Sequence, residues 1–523
     1  MVVPEGMTVQ GLARLIAAIA NTGGRDVALR GDPGEAREMV AEAATMIVPS
    51  PVVRTGTGTT RERKVGRLPL HSQEDGPCPR RGEGPSPFPD GGGEKAGFRG
   101  VTTGDMHNTP ALRGEYVSAQ SGTAWKERIL DPTEREVPLL LDLYREFHAS
   151  PEVSGAEEET AARLAGALEA AGCTVTRGIG GHGLVGVLEN GEGPVVMLRA
   201  DMDALPITEE TGLSYASRRP GVMHACGHDL HMTSLVGAAR LLAACRECWR
   251  GTVLFVGQPA EEVVAGAKRM IADGLFERFP RPDCAVAVHA GPDIGAGRVG
   301  TRSGILSAGG ESIDLVVRGI GGHAAHPDRT RDPIVLAAET VLALQTIRSR
   351  EIDPNDFFVL SIGAIHGGTK HNAIPDEVAL KLNLRYHRPA VRDQGLAAIR
   401  RIAEGTAMAA GMPPGRMPVV TVIDESVPPL VTDAALTGKC GAGIEECLGA
   451  GAVVEIPPLA GSEDFAVFGD AGIPLAYFRI GTKDEGSGDA YLHSSHFAPA
   501  AGPAIRTGTV ALAASVIACA RRP

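Results

Sequence analysis

From about residue 131 onward the chain switches repeatedly between short apolar runs and segments whose apolar residues recur three and four positions apart, the marks of buried strands and amphipathic helices. Asp131 and Pro132 predict a helix start, with Leu139, Leu140, Leu143 and Phe147 on its apolar face, and a second amphipathic helix ends at Gly172. Strands are expected over residues 174–177, 184–188, 195–198, 252–256 and 285–288, with a helix over 232–244. Three of these strands run straight into polar groups: one into Asp201 and Asp203, one into Glu261 and Glu262, and one into His289. Open α/β sheets gather their chemistry at such strand ends.

The character changes after Ser307. Alternating runs at 312–318, 357–364, 377–386 and 419–423 are interleaved with helical segments at 333–348 and 391–410, and the Gly-rich turn GGHAAHPD lies between. The order βαββαβ is that of a split β-α-β sandwich. Beyond Pro428 the α/β pattern resumes with a helix over 433–448, a loop at 461–465 and a strand over 475–480. The expected fold class is therefore α/β. A mixed-sheet domain is built from residues 126–306 and 426–523, and a ferredoxin-like α+β unit is inserted over 307–425. Residues 1–125 read as an N-terminal extension. Within it, 33–47 has a helical pattern capped by Asp32, while 50–104 is more than a quarter Gly and Pro and shows no hydrophobic period. That stretch is a disordered linker or a translated upstream extension, with Met106 a candidate for the natural start.

Composition narrows the function classes. Lys and Arg number 51 against 63 Asp and Glu, a net charge of -12, so no basic face for nucleic acid is expected. The nine cysteines, Cys78, Cys173, Cys226, Cys245, Cys248, Cys284, Cys440, Cys447 and Cys519, show no paired spacing and favour a reducing, cytoplasmic compartment. No uncharged run approaches the ~18 residues of a membrane span, so no membrane partner is expected. Cys245 and Cys248 form a CxxC at a helix end with no second pair, and no metal or redox role is assigned to them. His148, His182, His366, His371, His387 and His496 stand apart from any ligand position.

The densest chemistry lies between residues 195 and 231, in VVMLRADMDALPITEETGLSYASRRPGVMHACGHDLH. His224, Cys226, His228, Asp229 and His231 crowd into eight positions ahead of an apolar helical pattern. Thiolate, imidazole and carboxylate side by side are the ligand set of a borderline-soft divalent metal. Adjacent Glu261 and Glu262 point in different directions at a strand end, so one can bind metal while the other stays free for proton transfer.

These residues resemble the amidohydrolase branch of the aminoacylase and carboxypeptidase-G metallopeptidases, which includes hippurate hydrolases and auxin-conjugate hydrolases. The resemblance rests on LRADMDALPI, GVMHACGHDLH, QPAEE, HAGP, GGHAAHPD, HNAIPDEVALKLNLR, GSEDF and LHSSHF, in family order from about Asp131 to the C-terminus. It implies a di-metal hydrolase domain with an inserted lid and dimerisation domain, and two divalent ions (Zn, Mn, Co or Ni) about 3.5–4 Å apart. It also implies Cys226 as bridging ligand, with His228, Glu262, His289 and His493 completing the metal set. Glu261 is then the general base and Asp203 the carboxylate that orients a ligand imidazole. His323 reaches across a homodimer to the oxyanion, and Asn372 and Arg385 hold the substrate carbonyl and carboxylate. Asp201 stands where relatives outside this branch have a ligand histidine. Asp328 and Ser495 depart from the family pattern, and neither is a proposed ligand. The implied reaction is hydrolysis of an N-acyl amino acid to a carboxylate and a free amino acid. Rival readings are a deacylase or carboxypeptidase for short peptides or N-acyl diamino acids, and a binding protein on a dead scaffold.

Overall fold

The computed structural model describes residues 124–485 and 489–521, together with two short strands, Val2–Val3 and Ala28–Leu29. The chain divides into two compact units, Met1–Pro110 and Ala111–Pro523. In the first, the two short strands pair in parallel, Val2 opposite Ala28. The helix expected at 33–47, the period-free segment 50–104 and Met106 lie outside the described residues.

An eight-stranded sheet organises the second unit. Its order is Val453–Glu455, Val299–Thr301, Leu475–Lys483, Cys284–Gly295, Val195–Asp201, Gly251–Gln258, Gly183–Asn190 and Thr174–Ile179. The central four strands, from Leu475–Lys483 to Gly251–Gln258, run parallel, while Gly183–Asn190 and Val299–Thr301 pair antiparallel with their inner neighbours. The central strands are largely apolar, as a sheet covered on both faces requires, with Arg199 and Arg479 buried among the apolar residues. Val196 and Leu198 pack into one core, and Met197 packs into the other with Leu254, Ala285 and Tyr477.

Helices Ala124–Ala149, His228–Ala244, Ala434–Leu448 and Ala501–Ala520 belong to the larger core. Ala501–Ala520 carries no amphipathic period because it is apolar nearly all round. By length and composition it could cross a membrane, yet 78% of its apolar 18-residue stretch is buried inside the protein. It meets the His228 helix at close range: a Cβ on Gly237 would come within 2.4 Å of Thr509 Oγ1, and one on Gly508 within 2.4 Å of Ser234 Oγ. Glycine at both crossings lets the two helices approach this closely.

Four expectations about local structure are corrected. The first helix begins at Ala124, not Asp131, and takes Pro132 and Pro138 into its interior. Burial of Trp125 and Ile129 in the core outweighs the local cost of proline, and Thr133 Oγ1 donates back to the Ile129 carbonyl at 2.6 Å. The helix expected from Met232 starts at His228, after Gly227 at φ 84°, so His228, Asp229 and His231 occupy its first turn. The strand expected to stop before His289 runs on to Gly295. Glu261 and Glu262 sit in a turn beyond the strand that ends at Gln258, so that turn, and not strand alternation, directs their side chains.

The inserted segment follows the βαββαβ order: Gly309–Arg318, Pro333–Thr346, Phe358–His366, Glu377–Tyr386, Pro389–Ala409 and Val419–Val422. Its antiparallel sheet runs Phe358–His366, Glu377–Tyr386, Gly309–Arg318, Val419–Val422. Ile313, Leu315, Val317, Leu380, Leu382 and Leu384 point from alternate positions into a core shared with Leu336, Leu344, Ile399 and Ala403 of the two helices.

Candidate metal centre

The parallel strands deliver their polar residues to one level of the sheet: Asp201 is opposite Gln258, and His289 is opposite Arg479. The segment leading into the His228 helix, the 259–265 turn and His493 close over that level. Cys226, His228 and His289 offer donor atoms that lie within 4.8 Å of one another, and so do Cys226, Glu262 and His493. Cys226 is the member common to both groups. His228, Glu261 and Glu262 form a third group on the same scale.

Hydrogen bonding sets which ring nitrogens are available. His289 Nδ1 lies 2.9 Å from the Ala290 carbonyl, which only accepts, so Nδ1 carries the proton and the Nε2 lone pair faces Cys226 Sγ at 3.5 Å. His228 Nδ1 likewise donates to the Asp203 carbonyl at 2.8 Å and turns Nε2 inward. His231 is different. Its Nδ1 donates to Asp201 at 2.5 Å and its Nε2 accepts from the Ala290 amide at 2.8 Å, so no lone pair remains for a metal.

A divalent ion fits this cluster. His228 Nε2 and Glu262 Oε1 are buried without a hydrogen-bond partner among the described residues. An unpaired buried polar atom costs about 1–3 kcal/mol, and a cation satisfies both at once. Burial pushes the Cys226 thiol well up, so a cation is needed to draw out its thiolate. The N, O and S donor set suits a borderline-soft metal.

Behind the cluster, Arg199 is fully buried. It meets Asp201 at 2.7 Å, Glu463 and Asp464 at 2.9 Å, and Gln258 at 2.9 Å. Burial, then Glu463, Asp464 and Glu262, push the Glu261 carboxyl well above the usual range. Against burial, His228, whose Nδ1 lies 3.4 Å from the carboxylate, and hydrogen bonds from Ser154 and the Glu262 amide hold Asp203 below it. Ala260 (φ 52°), Val264 (φ 48°) and His493 (φ 63°) are the non-glycine residues at positive φ among those described. Two of them flank the glutamate pair and the third is itself a cluster member, so backbone strain concentrates at the site.

A cavity of about 770 Å³ opens from Cys226, Glu262, His289 and His493 toward Arg385 of the inserted segment. Arg385 Nε donates to Asn383 Oδ1 at 2.7 Å and its Nη1 to Ser462 Oγ; among the described residues no carboxylate pairs with it. Burial alone lowers its pKa. Leu306, Val427, Leu430 and Leu459 supply an apolar wall. The structure thus brings together Cys226, His228, Glu261, Glu262, His289, His493, Asp203 and Arg385. His323 and Asn372 lie elsewhere, neighbours on an exposed edge where the Ala324 amide donates to the Asn372 carbonyl at 3.2 Å.

Residues 197–516 match the model of the peptidase family M20/M25/M40. The chain belongs to this family. The hippurate hydrolase of Campylobacter jejuni is 36% identical over 370 residues, covering 69% of this chain and 93% of that protein. The IAA-amino acid hydrolase ILR1-like 2 of Arabidopsis thaliana is 36% identical over 363 residues, covering 68% of this chain and 79% of the relative. Among solved structures, the YXEP protein of Bacillus subtilis, described as a dinuclear metal binding peptidase of the M20 family, superposes with a TM-score of 0.62. It is 28% identical, and the match covers 74% of this chain and 99% of that one. As an M20 family member the chain is a metal-dependent amidohydrolase, and the dead-scaffold reading is set aside.

Sequence reasoning missed two buried networks of this M20 chain. Arg199, Glu463 and Asp464 stand inside recognised motifs, and an arginine within an apolar strand is the signal that would have found them. His148, taken as standing apart, is buried: Nδ1 lies 2.6 Å from Asp229 and Nε2 3.2 Å from Glu209. Against burial, which lowers it, these carboxylates raise its pKa to about 9. A group raised in the folded state stabilises fully below its unfolded pKa of about 6.5 and loses that contribution as pH rises through about 9. Wild type is therefore expected to exceed His148→Gln in stability by up to about 3 kcal/mol at pH 6, with the gap narrowing by pH 9.5. Urea denaturation of both proteins at the two pH values checks this, and a pH-independent gap counts against it.

Proposed function

We propose that this chain hydrolyses the amide bond of an N-acyl amino acid, releasing a carboxylic acid and the amino acid. One observation carries the reading: Arg385 faces the cavity with no acidic partner among the described residues, across from the metal cluster and beside an apolar wall. A guanidinium fork suits the free carboxylate of the substrate, and the wall suits its acyl group.

Cys226, His228, Glu262, His289 and His493 would hold two divalent ions (Zn, Mn, Co or Ni). Such ions supply Lewis acidity toward the amide carbonyl and toward water. Glu261, buried and raised, takes the proton released by water and delivers it to the leaving nitrogen. Asp203 fixes His228 in the tautomer that turns Nε2 inward, through its own carbonyl and a carboxylate oxygen 3.4 Å from Nδ1.

Hydrolysis of a panel of N-acyl amino acids beside the same compounds with the carboxylate amidated tests the reading. The free acids should be preferred in wild type, and Arg385→Met should raise KM for them selectively. Equal turnover of acids and amides would overturn the substrate class.

His323 and Asn372 are exposed and belong, in this proposal, to the site of a partner subunit in a homodimer. His323→Ala should lower turnover more than substrate affinity. Mixed under exchange conditions with inactive Glu261→Gln, it should regain activity, because some sites then carry both wild-type groups. Failure to complement despite proven exchange places His323 outside the partner's site.

A further inference from the structure

The three thiols of Cys284, Cys440 and Cys519, drawn from three separate elements, converge, and none of them belongs to the metal cluster. Cys284 opens the strand Cys284–Gly295, Cys440 lies in the helix Ala434–Leu448, and Cys519 is in the last turn of Ala501–Ala520. Cys440 Sγ and Cys519 Sγ are 3.8 Å apart. Cys284 and Cys440 are buried, whereas Cys519 is partly exposed. An accessible thiol backed by a second in contact is the arrangement of an attacking and a resolving cysteine.

We propose that Cys519 and Cys440 form a thiol-disulfide exchange site whose substrate class is low-molecular-weight disulfides. The Cys519 thiolate attacks one sulfur of the small disulfide, the S–S bond breaks, and one small thiolate leaves. Cys440 then gives its proton to the departing small thiolate and attacks Cys519 Sγ, expelling the second small thiolate. Two protein thiols are oxidised to one disulfide, and the small disulfide is reduced to two thiols. The local environment agrees with this order of attack. Donation from the Cys284 and Cys440 thiols, aided by Lys439 and opposed by burial, brings Cys519 down to about 4. Burial, opposed by Arg246, holds Cys173 up to about 12. The bond would tie together two helices that pack in the same core as the His228 helix.

The test treats the full-length, metal-loaded protein with oxidised glutathione and maps its cysteines by mass spectrometry after alkylation. The expected product is a Cys440–Cys519 linked peptide, with two glutathione thiols released per link and full reversal by a reducing agent. In brief alkylation at pH 6, Cys519 should react at least tenfold faster than Cys173. Cys440→Ser should stop at a Cys519–glutathione adduct with one thiol released. Should that variant fail to fold, the wild-type ratio of two thiols to one decides the question. A stable adduct in wild type, a link from Cys519 to Cys284 instead, or Cys519 reacting no faster than Cys173 would overturn the proposal.

Discussion

Glu261→Gln should retain its full metal content while turnover falls by more than about 10²-fold, the lower end for loss of a positioned acid or base. Glu261 is 7% exposed and reaches within 4.0 Å of His228 Nε2, yet it stands outside the two groups that share Cys226. Glutamine keeps its volume and hydrogen-bonding reach but cannot accept a proton. Burial and three neighbouring carboxylates raise the carboxyl well above the usual range, which makes its carboxylate a stronger base. Metal analysis beside steady-state kinetics on an N-acyl amino acid separates the two properties. Near-normal turnover would remove Glu261 from proton transfer, whereas loss of metal would make it a ligand.

Arg199→Met should lower stability at pH 7 by about 3–5 kcal/mol, the usual cost of breaking a buried ion pair from one side. The guanidinium is fully buried and is in contact with Asp201, Glu463 and Asp464, so its removal leaves acidic groups facing one another with no water to separate them. Burial first, and then Glu463, already push the Asp464 carboxyl up to about 7 against the opposing pull of Arg199. Arg199→Lys should recover only part of the loss, because an ammonium cannot fork between three carboxylates. The midpoint of denaturant unfolding for the three proteins measures this. A methionine variant within about 1 kcal/mol of wild type would show that the carboxylates absorb protons at little cost.

Much of the site was legible because several of its residues follow directly on apolar runs, which break into Asp201 and Asp203, into Glu261 and Glu262, and into His289. Most strands of the catalytic sheet and the whole inserted βαββαβ order could be read from period alone. The rest was hidden for identifiable reasons. Ala501–Ala520 is apolar nearly all round, so no period marks it, and the start at Ala124 depends on burial that overrides two prolines. The strands Val299–Thr301, Gly304–Ser307, Leu430–Thr432 and Val453–Glu455 are too short to show an alternation. His148 looked isolated because its partners lie 61 and 81 residues away.

The placement of Leu475–Lys483 between Cys284–Gly295 and Val299–Thr301 has a consequence for synthesis. Its partners in the ladder, Leu475 and Ala285, are separated by about 190 residues. While the chain emerges from the ribosome, the strand bearing His289 must wait with one apolar edge unpaired until nearly the whole protein has been made. The inserted sheet, whose partners are much nearer in sequence, can close long before. Nascent chains stalled before residue 475 should therefore contain a finished inserted domain beside an open sheet edge of the kind that recruits chaperones or aggregates.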